Sequence, residues 1–153
     1  MPRGDGPSVR AAIAADIPNL LSLERESATA AHWSEVEYQK LFAPGFLERV
    51  ALVIKADGRL VGFLVARIVS TECELENIVV EETGRRKGLG RRLLAELVKR
   101  AKAREVTTIF LEVRASNWPA RAFYWAHGFQ ESGVRKSYYV APVEDAVIYR
   151  LQT

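Results

Sequence analysis

The chain has 153 residues, 48% of them apolar and 27% charged, a length that buries roughly two-thirds of the unfolded surface without a metal or disulfide and a balance that excludes a disordered or collagen-like polymer. A single cysteine, Cys73, excludes an internal disulfide framework and fits a cytoplasmic setting. The 22 basic residues against 19 acidic ones leave +3, a modest excess that suits an anionic partner, whether a nucleotide cofactor or a nucleic acid.

The chain opens M-P-R-G-D-G-P-S, with no apolar stretch behind the charge. Residues 1–8 read as a loose lead-in, not a secretory signal. The most apolar region, residues 52–69, is broken by Lys55, Asp57, Arg59 and Arg67, whereas a membrane span needs about 20 apolar residues. No repeat or linker divides the rest of the chain, so residues 9–153 read as one domain. A first strand is expected over residues 9–13. Asp16 is placed to cap a helix whose first turn holds Pro18 and whose length carries Leu20, Leu21 and Leu23. Ser34 and Glu37 have the capping-box spacing for a second helix, which ends at Pro44-Gly45. Residues 50–56 and 60–69 are rich in branched apolar side chains, and Asp57-Gly58 between them is a hairpin signal. Another strand fits residues 74–80.

A basic loop then leads into the clearest helix of the chain, with Leu89, Leu93, Leu94, Leu97, Val98 and Ala101 on one stripe. Residues 106–113 read as a buried strand. Ser116 or Asn117 caps a helix that ends at Gly128, and two strands fit residues 129–139 and 146–151. Consecutive strands early and a β-α-β unit late predict an α/β (α+β) domain, with a mixed sheet covered by helices.

The sharpest chemical feature is Arg85-Arg86-Lys87-Gly88-Leu89-Gly90-Arg91, between an apolar strand and an amphipathic helix. The glycines admit a ligand close to the backbone. The first helical amides lack internal partners, and the helix dipole favours an anion there. Such a loop would hold a pyrophosphate. It lacks the Gly-Lys-Ser/Thr of a Walker loop and the third glycine of a Rossmann loop, since Leu93 stands there. On glycine spacing alone a solvated basic turn reads equally well. His32 and His127 have no metal spacing, so no metal is expected, and Cys73 reads as packing.

An arginine, two residues and Gly-x-Gly after an apolar strand resemble the acetyl-coenzyme A loop of the GNAT N-acetyltransferases. Within that family the likeness is to the ribosomal-protein-alanine N-acetyltransferases. His32-Trp33-Ser34-Glu35 resembles the early helix start, and Glu76-Asn77-Ile78-Val79-Val80 the strand before the loop. Leu111-Glu112-Val113-Arg114-Ala115-Ser116-Asn117, with Ala122-Phe123-Tyr124 and His127-Gly128-Phe129, resembles the most distinctive stretch. Arg135-Lys136-Ser137-Tyr138-Tyr139 and Glu144-Asp145-Ala146 resemble the C-terminal hairpin.

The resemblance implies a mostly antiparallel mixed sheet with helices on both faces, and direct acetyl transfer from acetyl-coenzyme A to a protein N-terminal amine. The acceptor it implies is the alanine terminus of a small-subunit ribosomal protein. It makes Glu112 the general base and Tyr124 the general acid. The cofactor would meet Ile78, Val79, Val80, Arg85, Arg86, Lys87, Gly88, Leu89, Gly90, Arg91, Asn117 and Tyr124. The acceptor would meet Trp33, Glu76, Asn77 and Tyr138. Read from the residues alone, Glu112 could instead face solvent or pair with Arg114, Tyr124 could be a core aromatic, and Asn117 a plain helix cap. Another terminus, a lysine side chain or a small amine remain alternative acceptors. A basic nucleic-acid-binding module is the alternative outside this class, though direct nucleic-acid contact is not expected. The expected state is a monomer or weak dimer with no membrane contact.

Overall fold

The structure is a computed structural model and describes residues 6–27, 30–44, 48–81 and 88–153. Seven strands form one sheet in the order β1-β2-β3-β4-β5-β7-β6. They are β1 (Ser8–Ala11), β2 (Arg49–Ala56), β3 (Arg59–Val69), β4 (Glu72–Val80), β5 (Thr108–Arg114), β6 (Gln130–Val140) and β7 (Val143–Gln152). Every neighbouring pair is antiparallel except β4 and β5. The helices are α1 (Ile17–Glu26), α2 (Glu35–Lys40), α3 (Leu89–Ala103) and α4 (Trp118–Ala126). This is the mixed α/β fold expected, with a mostly antiparallel sheet.

Local chemistry accounts for most boundaries. Asp57 and Gly58 both have positive φ, at 52° and 78°, so the β2–β3 turn twists with its strands. The Ser34 hydroxyl accepts from the Glu37 N–H at 3.3 Å and starts α2. The Asn117 side chain accepts from the Ala120 N–H at 3.3 Å and starts α4. Gly128, at φ 91°, ends α4 in the left-handed conformation that favours glycine. Asp16 behaves differently from expectation. It stands at the start of α1 without capping it, because its carboxylate is held by Arg10 at 2.8 and 2.9 Å and by the Ile13 N–H at 2.8 Å. Ile13 accordingly leaves the first strand, which stops at Ala11, and precedes a single 3₁₀ turn at Ala14–Asp16.

Two apolar layers flank the sheet. On one face, Leu89, Leu93, Leu94, Leu97 and Ala101 of α3 and Tyr124 of α4 pack with Leu52, Ile54, Leu64, Cys73, Ile109 and Leu111. On the other, Ile17, Leu20 and Leu23 of α1 and Tyr38 of α2 pack with Val53, Phe63, Val65 and Val79. The α1/α2 layer stops at β4. Beyond it, that face of β5, β7 and β6 carries Phe110, Glu112, Arg114, Arg135, Ile148 and Arg150 in cross-strand register.

Candidate active site

The two parallel strands pair only at Glu72–Thr108, Cys73–Ile109 and Glu74–Phe110, and then part. From Leu75 to Val80 the β5 side of β4 has no strand partner among the described residues. An open strand edge offers backbone N–H and C=O groups to a ligand. The gap faces the carboxyl ends of both strands, where open α/β sheets take ligands.

A bulge in β4 shapes one wall of the gap. The pairing with β3 jumps from Ala66–Leu75 to Val65–Asn77 and leaves Glu76 unmatched. Bulges re-aim side chains next to functional sites. Here Leu75 packs on the α3/α4 side, whereas Val79 packs with α1 and α2 and Asn77 bonds there. A regular strand would have kept Leu75, Asn77 and Val79 on one face.

Gly88, at φ 76°, stands just before the first residue of α3. The first helical bond joins the Arg92 N–H to the Gly88 C=O at 3.1 Å, so the amides of Leu89, Gly90 and Arg91 precede the helical ladder. Unpaired amides at a helix start, together with the helix dipole, favour negative charge there. A Cβ on Gly90 would stand 3.4 Å from the Phe123 ring and 3.9 Å from Val80, in ordinary contact with both, which places the first turn of α3 against α4 and the open part of β4. Arg85, Arg86 and Lys87 lie outside the described residues.

Glu112 and Tyr124 come to β5 from opposite faces. Leu111 and Val113 belong to the α3/α4 layer, so Glu112 between them points to the other face. Its side chain is 12% exposed and pairs with Arg135 Nε at 3.1 Å, not with Arg114. The Tyr138 hydroxyl also donates to it, and the Glu112 charge is the chief cause that raises the Tyr138 phenol above its ordinary pKa. Arg114 instead lies 4.2 Å over the Tyr139 ring. The phenol of Tyr139 is raised first by burial and then by Glu112. On the other side, Tyr124 is 6% exposed among Phe123, Phe129 and Tyr149. Burial, and next the neighbouring Tyr139, push its phenol far above the usual range, so it stays protonated.

The α2 side holds a cavity of about 260 Å³ lined by Trp33, Glu37, Lys40, Arg49 and Glu76. Arg49 reaches 3.3 Å from Glu76 and lies 5.4 Å from the Trp33 ring. Burial raises the Glu76 carboxyl above its ordinary range despite the Arg49 charge, and Glu76 Oε1 accepts no hydrogen bond. Asn77 is buried, its amide bonded to Glu24 and Tyr38. The structure thus brings Glu112, Tyr138, Glu76, Asn77 and Trp33 to the α1/α2 face. It brings Tyr124, Asn117, Gly88, Leu89, Gly90 and Arg91 to the ends of α3 and α4. Ile78, Val79 and Val80 lie on the strand between.

Sequence reasoning did not single out Glu24 or Arg49, nor Arg135 as the partner of Glu112. For Glu24 a signal existed: with Ile17, Leu20 and Leu23 it occupies the stripe of α1 that is buried, a charge at an apolar helical position. Nothing in the sequence pairs Arg135 with Glu112 across two strands.

The chain matches the model of the acetyltransferase (GNAT) family over residues 17–129. It belongs to that family and is an acetyltransferase. Within the family its kin are the ribosomal-protein-alanine N-acetyltransferases. The [ribosomal protein bS18]-alanine N-acetyltransferase of Salmonella typhimurium is 40% identical over 139 residues, 89% of this chain and 90% of that protein. The crystal structure of the corresponding enzyme from Escherichia coli superposes with a TM-score of 0.83 at 31% identity, covering 95% of this chain and 93% of the other. A GNAT acetyltransferase from Elizabethkingia anophelis, solved with acetyl-CoA bound, has the same fold at 20% identity and a TM-score of 0.79, over 97% of this chain and 99% of its own.

Proposed function

We propose that the protein transfers the acetyl group of acetyl-coenzyme A to the N-terminal α-amine of a protein, and that this terminus is the alanine of ribosomal protein bS18. The observation that carries the reading is the parting of β4 and β5, with Glu112 on one face of the gap and Tyr124 on the other. The relatives named for that reaction support the choice of acceptor.

The α3 amides from Leu89 to Arg91 hold the diphosphate, with Arg85, Arg86 and Lys87 supplying charge. The edge of Ile78, Val79 and Val80 pairs with the pantetheine amides, and Asn117 contacts the same arm. The acetyl group enters the gap from the α3/α4 side, and the amine arrives from the α1/α2 side beside Trp33, Glu76 and Tyr138. An α-amine has a pKa of ~7.7–8.0, so much of it needs only a weak base to become neutral. Glu112 takes the proton, through a water if need be. Nitrogen attacks the carbonyl, and the Val80 N–H faces the oxygen that gains charge. As the C–S bond breaks, Tyr124 is the general acid: its hydroxyl, kept protonated by burial, hydrogen-bonds the leaving sulfur, whose proton is finally drawn from solvent. The protein acts as a monomer or weak dimer in the cytoplasm, its single domain spanning residues 9–153.

The test is acetyl-coenzyme A with peptides that begin with alanine, free or blocked at the terminus, and mass spectrometry of the modified atom. The expected product is acetylated at the α-nitrogen. Modification confined to lysine of the blocked peptides would refute the acceptor assigned. A lysine amine, at pKa ~10.4, demands a stronger base.

A further inference from the structure

Glu24 is a carboxylate on the buried face of α1, 3% exposed, and no cation pairs with it among the described residues. A buried charge is costly unless donors satisfy it. Here the donors come from three other elements. The Trp33 backbone N–H donates at 2.8 Å, the Asn77 side-chain amide at 3.4 Å, and the Tyr38 hydroxyl from α2 completes the set. Asn77 uses its other amide hydrogen on the Tyr38 oxygen at 3.3 Å, and its carbonyl accepts from the Ala31 N–H at 3.4 Å.

Residues 30–34 are neither helix nor strand, so their backbone N–H groups have no helical or ladder partner. Those of Ala31 and Trp33 find acceptors on β4 and α1. Asn77 can serve because the bulge at Glu76 turns it to this face. The segment so held carries Trp33, whose ring lies 5.4 Å from Tyr38 and lines the cavity beside Glu76. Apolar contact alone would let the segment slide. Directional bonds to a buried carboxylate fix its distance from the bulge.

We infer that Glu24, Asn77 and Tyr38 are positioning residues for the acceptor: they tie the 30–34 segment to the β4 bulge and so hold Trp33 as the acceptor wall of the gap. This rests on the reading of the α1/α2 face as the acceptor side. The hydrogen bonds that join the three stay within α1, α2, β4 and the 30–34 segment.

Glu24→Gln keeps the shape but turns one acceptor oxygen into a donor facing other donors. The expected result is a rise of at least tenfold in KM for an alanine-terminated peptide, with KM for acetyl-coenzyme A within twofold of the wild type. Amide hydrogen exchange should quicken at Ala31 and Trp33 and stay unchanged at Leu93 and Leu97. An unchanged peptide KM, or equal rises in both KM values with exchange faster throughout, overturns the inference. If Glu24→Gln does not fold, Tyr38→Phe removes one hydroxyl from the network and is expected to raise peptide KM about threefold, read against the same controls. If the wild type modifies lysine instead of the terminus, the assigned acceptor fails while the tie is still read through KM for the lysine peptide.

Discussion

At the scale of single residues, burial decides which groups can do chemistry. Cys73 is fully buried and its thiol is pushed up to about 11, chiefly by burial. It is inert as a nucleophile: alkylation of the folded protein at pH 8 should proceed no faster than global unfolding, as intact-mass kinetics would show. Glu112 is the opposite case, set at the gap and reachable once Arg135, itself 56% exposed, moves aside. Glu112→Gln should lower kcat by about 10²-fold or more, the usual range for a general base, while calorimetry returns an unchanged Kd for acetyl-coenzyme A. Asp16 reports on stability. Its hydrogen bonds from Arg10 hold its carboxyl below the ordinary range. A depressed folded-state pKa contributes stability above the unfolded value, ~3.9, that is lost as pH falls through the folded one. The stability gap between wild type and Asp16→Asn should be full at pH 7 and close progressively below about pH 4 in urea titrations.

At the scale of elements, α3 joins two tasks. Its apolar stripe anchors the crossover between the parallel strands, and its first turn presents free amides at the gap. Leu97 is fully buried in that stripe. Leu97→Ala should cost about 2–5 kcal/mol and lower Tm by roughly 5–15 °C. Gly88 holds a left-handed φ at the head of the same helix, where a Cβ costs about 1–2 kcal/mol. Gly88→Ala should therefore combine a small fall in Tm with weaker acetyl-coenzyme A binding, since the strained turn would withdraw the amides from the diphosphate. β4 has a comparable double role: it pairs with β3 on both sides of the bulge while its other edge has no strand partner above Glu74 among the described residues, and the bulge turns Asn77 toward α1.

At the scale of the whole molecule, the fold joins two sides that must meet. Helices α3 and α4 build the face with the open first turn of α3 and Tyr124, while α1, α2 and the β6–β7 hairpin frame the face with Glu112. The sheet between them would be a barrier if β4 and β5 paired to their ends. Their divergence after Glu74 makes the passage.

The sequence alone determined what short-range physics can write. The α3 stripe, the Asp57-Gly58 turn, the Ser34 and Asn117 caps and the stop at Gly128 each follow from residues a few positions apart, and their order implied a mixed sheet. The loop residues at Gly88–Gly90, with the segments around Glu112 and Tyr124, pointed to the acetyltransferase family. Only the tertiary structure decided where the strands part, that the bulge at Glu76 sends Asn77 to Glu24, that Asp16 turns back to Arg10 instead of capping α1, and that Arg135 is the partner of Glu112. Register and ion pairing between distant segments depend on the free energy of the assembled sheet, and no local pattern carries that.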